Sequence, residues 1–263
     1  MSEKPLQGQT AIVTGAAKRI GRAIALKLAE AGANVVVNYQ TSEAEAVATA
    51  KELEGKGVKA LLVQADVSRP AEAGRLAEAA KKQFGRIDIL VNNAGIFFPA
   101  SWSQLTEEQW DRILGVNLKA QFFCAQAVAP AMLEQKRGRI INLSSIGGLL
   151  AWPEFMHYCV SKAGVIMLTR CLARALAPHI LVNSVAPGTI QFAGDAPDDS
   201  YIRRAPLQRT GTGEDIASTV LFLAAQADFI TGQVFVVDGG RSLTYISTPP
   251  VSPSRGRFSA RRG

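Results

Sequence analysis

Short apolar runs alternate with longer stretches of helical period along nearly the whole chain. "TAIVT" (10–14) is followed by a helical pattern from about Ile20 to Ala31, with Gly32 marking its end. "ANVVVNY" (33–39) leads into "SEAEAVATAKELEGKG", where Ser42 and Glu45 stand at capping-box spacing. "KALLVQAD" precedes "PAEAGRLAEAAKKQFG", in which Pro70 suits a first helical turn and Gly85 an end. "RIDILVNNAG" predicts a fourth strand and "GRIINLSS" a fifth, with a long helix over about 112–135 between them. A helix over about 155–177 follows, then a sixth strand in "HILVNSVAPG" and a seventh in "GQVFVVDGG".

Strands that are continuous in Val, Ile and Leu and separated by helices predict a parallel sheet covered on both faces. The expectation is one doubly wound α/β domain over 1–245, with a seven-stranded parallel sheet. No Pro/Gly-rich linker divides the chain before residue 246, and no solenoid-length repeat is visible. Ligands of such a sheet bind beyond the carboxyl ends of its strands. There the chain carries "TGAAKRIG", "NYQTS", "NNAG", "LSSIGG" and "VAPGT", rich in the small polar residues that line a polar ligand.

Composition narrows the classes without choosing among them. The 263 residues are 48% apolar and 19% charged, ordinary for a globular protein. Net charge is +7, but "STPPVSPSRGRFSARRG" at the end holds four arginines and no acid, so the rest stands at only +3. No dense basic face points to nucleic acid, and residues 246–263 are expected to be a solvated, disordered tail. Cys124, Cys159 and Cys171 are too few and scattered for a disulfide framework or a metal site, which suits a reducing compartment. The start lacks a signal-peptide segment and no apolar run approaches about 18 residues, so a cytoplasmic protein without membrane spans is expected.

The chemistry begins at "TGAAKRIGRA". A helix N-terminus after a strand offers free N–H groups and a positive dipole end to a pyrophosphate. Gly15 allows a tight turn and Gly21 close packing of helix on strand, although the usual G-x-G-x-x-G spacing is absent and Arg19 stands between them. At the end of strand two, Asn38, Tyr39, Gln40, Thr41 and Ser42 include no carboxylate to hold a ribose 2′-hydroxyl. With Lys18 and Arg19 next door, that makes a cup for a 2′-phosphate; two solvated cations are the plain alternative. Tyr158 and Lys162 lie four apart on one helix face. A free phenol, with a pKa near ~10, is a poor acid at neutral pH, and a neighbouring cation lowers that value.

Taken together, "TG" with Gly21, Asp66-Val67, "NNAG" (92–95), Val116-Asn117, "INLSS" (141–145), "YCVSK" (158–162) and "VAPGT" (185–189) resemble the short-chain dehydrogenase/reductase family over residues 8–243. The resemblance implies a Rossmann-type fold and NADP(H). It makes Tyr158 the general acid, Lys162 the group that binds ribose and lowers the tyrosine pKa, Ser145 the donor to the substrate oxygen, and Asn117 the holder of a water leading to Lys162. It places the cofactor against Gly15, Lys18, Arg19, Ile20 and Gly21, against Asn38, Tyr39, Thr41 and Ser42, and against Asp66 and Val67 at the adenine. Asn93, Ala94 and Gly95 would follow on the ribose side, and Pro187, Gly188 and Thr189 at the carboxamide. Ser144 should point to the other side of the strand, and the ring of His157 should miss the Tyr158 face. Phe97 and Phe98 after "NNAG", and Trp152 and Phe155 before the catalytic helix, are candidate substrate contacts or packing, with Phe97 and Trp152 the residues assigned to the substrate pocket.

Within the family, "TGAAKR", the aromatics after strand four and "DGGRSL" resemble pteridine reductases. Ser145 and Gly95, where those enzymes carry Asp and Ser, resemble 3-oxoacyl-carrier-protein and related keto reductases. A keto substrate such as a 3-oxoacyl thioester is therefore expected, a pterin being the alternative. A regulator that had lost its chemistry would lack Tyr158 or Lys162. The resemblance also implies a homotetramer packed through the two long helices, and a mobile lid in "QFAGDAPDDSYIRRAPLQR" (191–209). Because most relatives have glycine at the Arg19 position, Arg19 is expected to avoid positive φ.

Overall fold

The computed structural model describes residues 4–244. Its sheet holds seven parallel strands in the order β3-β2-β1-β4-β5-β6-β7. They are β1 (Thr10–Val13), β2 (Asn34–Tyr39), β3 (Ala60–Gln64), β4 (Ile89–Asn92), β5 (Gly138–Leu143), β6 (Ile180–Pro187) and β7 (Val234–Val237). The reversal of direction between β1 and β4 opens the crevice where a doubly wound sheet takes its ligand.

Both faces of the sheet are sealed, which is why the strands read as unbroken apolar runs. On one face Ala11, Val13, Val35, Val37 and Val91 pack on α1 (Arg19–Glu30) through Ile24 and Leu28, on α2 (Glu43–Gly55) through Leu53, and on α8 (Gly213–Ala225) through Ile216 and Val220. On the other, Ile12, Val36, Leu90, Ile140 and Val182 meet α3 (Pro70–Phe84), α5 (Ala120–Glu134) and α6 (Met156–Leu176) through Leu76, Val128, Met132 and Ala173. Pro70 opens α3 and Gly85 closes it at φ 74°, as the sequence predicts. Among the described residues no helix is long and apolar enough to cross a membrane. The basic tail expected from residue 246 lies outside the described residues.

Two local expectations are corrected, and a third segment gains detail. The Ser42 side chain makes no cap hydrogen bond, and Glu45 instead lies 3.6 Å from the Lys18 ammonium. The helix expected over 112–135 begins earlier, as α4 (Glu107–Leu114), on a capping box between Thr106 and Gln109. A π-helical turn, Gly115–Lys119, then separates it from α5. Finally, the 191–209 segment contains a short helix, α7 (Asp199–Arg204), capped by the Asp198 side chain.

Candidate active site

The carboxyl ends of β1, β2, β4 and β6 surround a cleft of about 640 Å³. Its floor is the first turn. Asn93 donates to the Thr14 and Gly15 carbonyls at 2.8 and 3.1 Å, and Asn38 accepts the Gly15 N–H at 3.1 Å, so neighbouring strand ends lock the turn. Asn38 and Asn93 thus hold the cleft's frame, and the Asn38 amide also donates to the Val63 and Ala65 carbonyls. Gly21 is obligatory: a Cβ there would run into the Gly15 carbonyl and lie 2.6 Å from the Asn93 amide nitrogen. A cradle that tight, roofed by a helix N-terminus, fits a pyrophosphate.

Tyr39, Thr41, Ser42 and Lys18 line one end of the cleft, Asp66 and Val67 the next wall, and Ile20, Ala94, Gly95 and Gly188 the inner end. Asp66 accepts from the Ser68 N–H and hydroxyl, which fixes that wall. Arg19 lines the cleft too, but its guanidinium is not turned to Thr41 and Ser42. It forms a fork to Asp195, 3.0 and 2.9 Å away, and lies 4.6 Å over the Phe192 ring. Its φ is +54°, against expectation. The chain passes from an extended Lys18 (φ −152°) through the left-handed Arg19 as α1 begins, while Gly21 packs on Gly15.

A smaller chamber of about 190 Å³ adjoins the inner end and collects Ser145, Tyr158, Lys162 and Pro187. Ser145 accepts the Gly147 N–H at 3.0 Å, leaving its own proton to give. Ser144 faces away as expected, donating to the Val185 carbonyl and accepting from Ser184. Lys162 is buried and donates to the Leu143 carbonyl at 2.8 Å; burial lowers its ammonium from 10.5 to about 8. Its nitrogen stands 5.8 Å from the centre of the Tyr158 ring. The phenol is nevertheless raised above its ordinary value, because burial outweighs the hydrogen bond from Ser145 that lowers it. The net shift is thus upward and not the depression expected beside Lys162, because burial is the largest influence on the phenol.

Asn117 sits in the π-helical turn and is fully buried. Its side chain accepts the Ile96 N–H and donates to the Ile96 carbonyl and to Ser161, so it braces the loop after β4 against α6. Gly95 lies close by, where a Cβ would be 3.2 Å from the Asn117 oxygen and 3.6 Å from the Lys162 nitrogen. Phe97 and Trp152 both reach Tyr158: Phe97 meets it edge-on at 4.7 Å and Trp152 lies parallel at 6.3 Å. Phe155, the other aromatic expected near the pocket, stacks on Phe97 at 4.4 Å. His157 turns away and packs against Phe98. Thr189 reaches Asp198 at 3.5 Å, and Gly188 is tied to β7 through the Val237 carbonyl. Asp195, Phe192 and Tyr201 fall in the segment expected to be a lid, but the sequence singles out none of them individually. They lie in a polar segment without periodicity, and only the fold brings them to the cleft.

The comparisons agree with this geometry. The model of a family described as enoyl-(acyl carrier protein) reductase matches residues 15–242. The chain is 45% identical over 239 residues to 3-oxoacyl-[acyl-carrier-protein] reductase FabG of Staphylococcus epidermidis, covering 88% of this chain and 98% of that protein. It is 42% identical over 240 residues to 3-oxoacyl-[acyl-carrier-protein] reductase of a Synechocystis strain, covering 89% and 97%. The crystal structure of a short-chain type dehydrogenase/reductase from Mycobacterium marinum superposes with a TM-score of 0.84 at 38% identity, over 90% of this chain and 96% of that one. A seven-stranded parallel sheet, a glycine-locked first turn and a Ser145–Tyr158–Lys162 chamber at its edge, in a chain this similar to those proteins, establish that it belongs to the short-chain dehydrogenase/reductase family.

Proposed function

We propose that this protein is an NADPH-dependent reductase of keto substrates resembling 3-oxoacyl thioesters, with Tyr158 as general acid. The carrying observation is that Ser145, Tyr158 and Lys162 share one chamber continuous with a cleft of dinucleotide size. Gly15, Ile20, Gly21, Ala94 and Gly95 would hold the pyrophosphate and ribose, Asp66 and Val67 the adenine, and Pro187, Gly188 and Thr189 the carboxamide. Lys18, Tyr39, Thr41 and Ser42 form the cup for the 2′-phosphate, with Asn38 and Asn93 as its scaffold. When bound, the cofactor supplies a hydride. Ser145, whose oxygen already accepts from Gly147, donates its proton to the substrate oxygen and fixes its place. Tyr158 donates the proton that completes the alcohol. A phenol raised by burial stays protonated at neutral pH, so it is ready to donate in the reductive direction. Lys162 stabilises the phenolate left behind, and Asn117 keeps the loop and α6 in register around it. Phe97, Trp152 and Phe155 form the apolar wall on which the substrate lies. Exposed Val160 and Met167 on α6, with Phe122 and Leu133 on α5, support pairing of these helices between copies in a homotetramer.

The test follows NADPH consumption with acetoacetyl thioesters and, separately, with dihydrobiopterin, in the wild type and in Tyr158→Phe. Thioester turnover should fall by about 10²-fold or more in the variant while NADPH binding persists. Turnover of the pterin alone, or full activity in Tyr158→Phe, would overturn the reading.

A further inference from the structure

The 191–210 segment is secured unequally along its length. Its ends are tied together: Ile190 bridges Gly211, Gln191 N–H donates to the Gly211 carbonyl, and the Thr210 hydroxyl donates to the Gln191 side chain, the last two at 2.9 Å. Its helix, α7, is pinned. Tyr201 is buried against Ile146 and Ala205, and its hydroxyl donates to the Asp238 carbonyl at 2.6 Å. The tip is different. Residues 192–195 form a small closed turn in which the Asp195 N–H donates to the Phe192 carbonyl and the Phe192 N–H donates to the Asp195 carboxylate, both at 3.0 Å, with Gly194 at φ +88°. The tip is met by the Gln191 amide, which donates to the Asp195 carbonyl at 3.4 Å, by the Gly213 backbone beside the Phe192 ring, and by one charged contact, the Arg19 fork, with half its side chain in solvent.

We propose that Arg19 and Asp195 form a releasable latch that holds the 192–195 tip over the cofactor cleft and so sets how fast the dinucleotide leaves. This rests on the reading of that cleft as a dinucleotide site. Phe192 and Arg19 both line it, so lifting the tip opens its wall, whereas α7 stays anchored by Tyr201. A two-pronged guanidinium–carboxylate pair stacked on an aromatic ring is directional enough to favour one tip position. Being solvent-exposed, it is weak enough to break on each opening. A buried pair would clamp the cleft shut, and a glycine at position 19 would have nothing to hold with. Arg19 and Asp195 are positioning residues in this scheme and take no part in proton transfer.

The test is a stopped-flow chase. Protein loaded with NADPH is mixed with excess oxidised cofactor, and the fluorescence change gives the dissociation rate for the wild type, Asp195→Asn and Asp195→Glu. Asp195→Asn should release NADPH about threefold to tenfold faster with an unaltered melting temperature, and Asp195→Glu should recover part of the retention. Added salt should speed release more in the wild type than in Asp195→Asn, because the latch is ionic and the remaining phosphate contacts are common to both. An unchanged rate in Asp195→Asn overturns the latch. A slower rate also overturns it, since Asp195 would then merely be withholding the Arg19 charge from the cofactor phosphates. Failure of the wild type to retain NADPH at all would instead remove the functional reading, and the latch with it.

Discussion

Gly188 and Tyr201 make a pair whose coupling can be worked out in advance. Gly188 follows β6 at the inner end of the cleft, and a Cβ built on it would fall on the Tyr201 hydroxyl, closer than real Cβ atoms come. It would also lie 2.9 Å from the Cα and Cβ of Asp238. In Gly188→Ala the phenol has to leave, and its 2.6 Å hydrogen bond to the Asp238 carbonyl goes with it. Overpacking costs about 1–3 kcal/mol and the lost bond about 1 kcal/mol, so the single variant should lose about 2–4 kcal/mol. Tyr201→Phe loses only the bond, about 1 kcal/mol.

The informative variant is the double one. Once the hydroxyl is gone, the worst overlap goes with it, leaving the new methyl against Asp238 and the edge of the ring, and the hydrogen bond cannot be lost twice. The double variant should therefore be no less stable than Gly188→Ala alone, a departure from additivity of about 1 kcal/mol or more. Urea unfolding of the four proteins, at one protein concentration and without cofactor, measures this; for a chain of this size each 1 kcal/mol is also about 2–4 °C in Tm. Losses that add to within about 0.5 kcal/mol would refute the argument, because they would mean the two residues do not share the clash.

Two further substitutions follow from groups buried at some cost. Lys162 has a folded pKa of about 8 against an ordinary 10.5, so between those values the unfolded chain holds more protons and stability should rise with pH. Below pH 8 the buried charge costs roughly 3 kcal/mol, so Lys162→Met should be inactive yet about 2 kcal/mol more stable at pH 7, after allowing for the bond lost by the Leu143 carbonyl. Urea titrations at pH 7 and pH 10 should show that advantage disappearing. His157 is fully buried, neither ring nitrogen has a hydrogen-bond partner among the described residues, and burial lowers its pKa. As pH falls below about 6.5 the unfolded chain protonates first and stability declines. His157→Leu should gain about 1 kcal/mol near neutrality and flatten the acid side of the stability curve, as thermal melts from pH 7 to pH 5 would show.

Strand positions and the residues at their ends were legible because both are written locally. A parallel strand sealed on two faces is an apolar run, and the turn that follows must carry whatever the ligand needs. What could not be read depended on partners distant in sequence. Ser42 and Glu45 have capping-box spacing, but Glu45 lies near Lys18, so spacing alone misled. The π-helical turn that places Asn117 replaces a stretch whose residues suit an ordinary helix. The sign of the Tyr158 shift turned on how much solvent is removed by Phe97, Trp152 and Phe155, a property of three segments meeting.

Arg19 shows why such a position resists reading from sequence. A non-glycine residue held left-handed costs about 1–2 kcal/mol, so the local preference disfavours arginine at φ +54°. Its fork to Asp195, 176 residues away, is solvent-exposed and therefore weak, and its guanidinium lies over the Phe192 ring. Exposed contacts of this kind give no clear surplus over that cost, so folding stability alone gives no reason for arginine to stand there. Its net effect is instead to couple the first turn to the segment above the cleft, which a glycine in the same backbone could not do. A local rule broken without a stability gain marks a place shaped by function, and at Arg19 the partner across the cleft favours the latch: faster NADPH release in Asp195→Asn separates it from a grip on the 2′-phosphate, which predicts slower release.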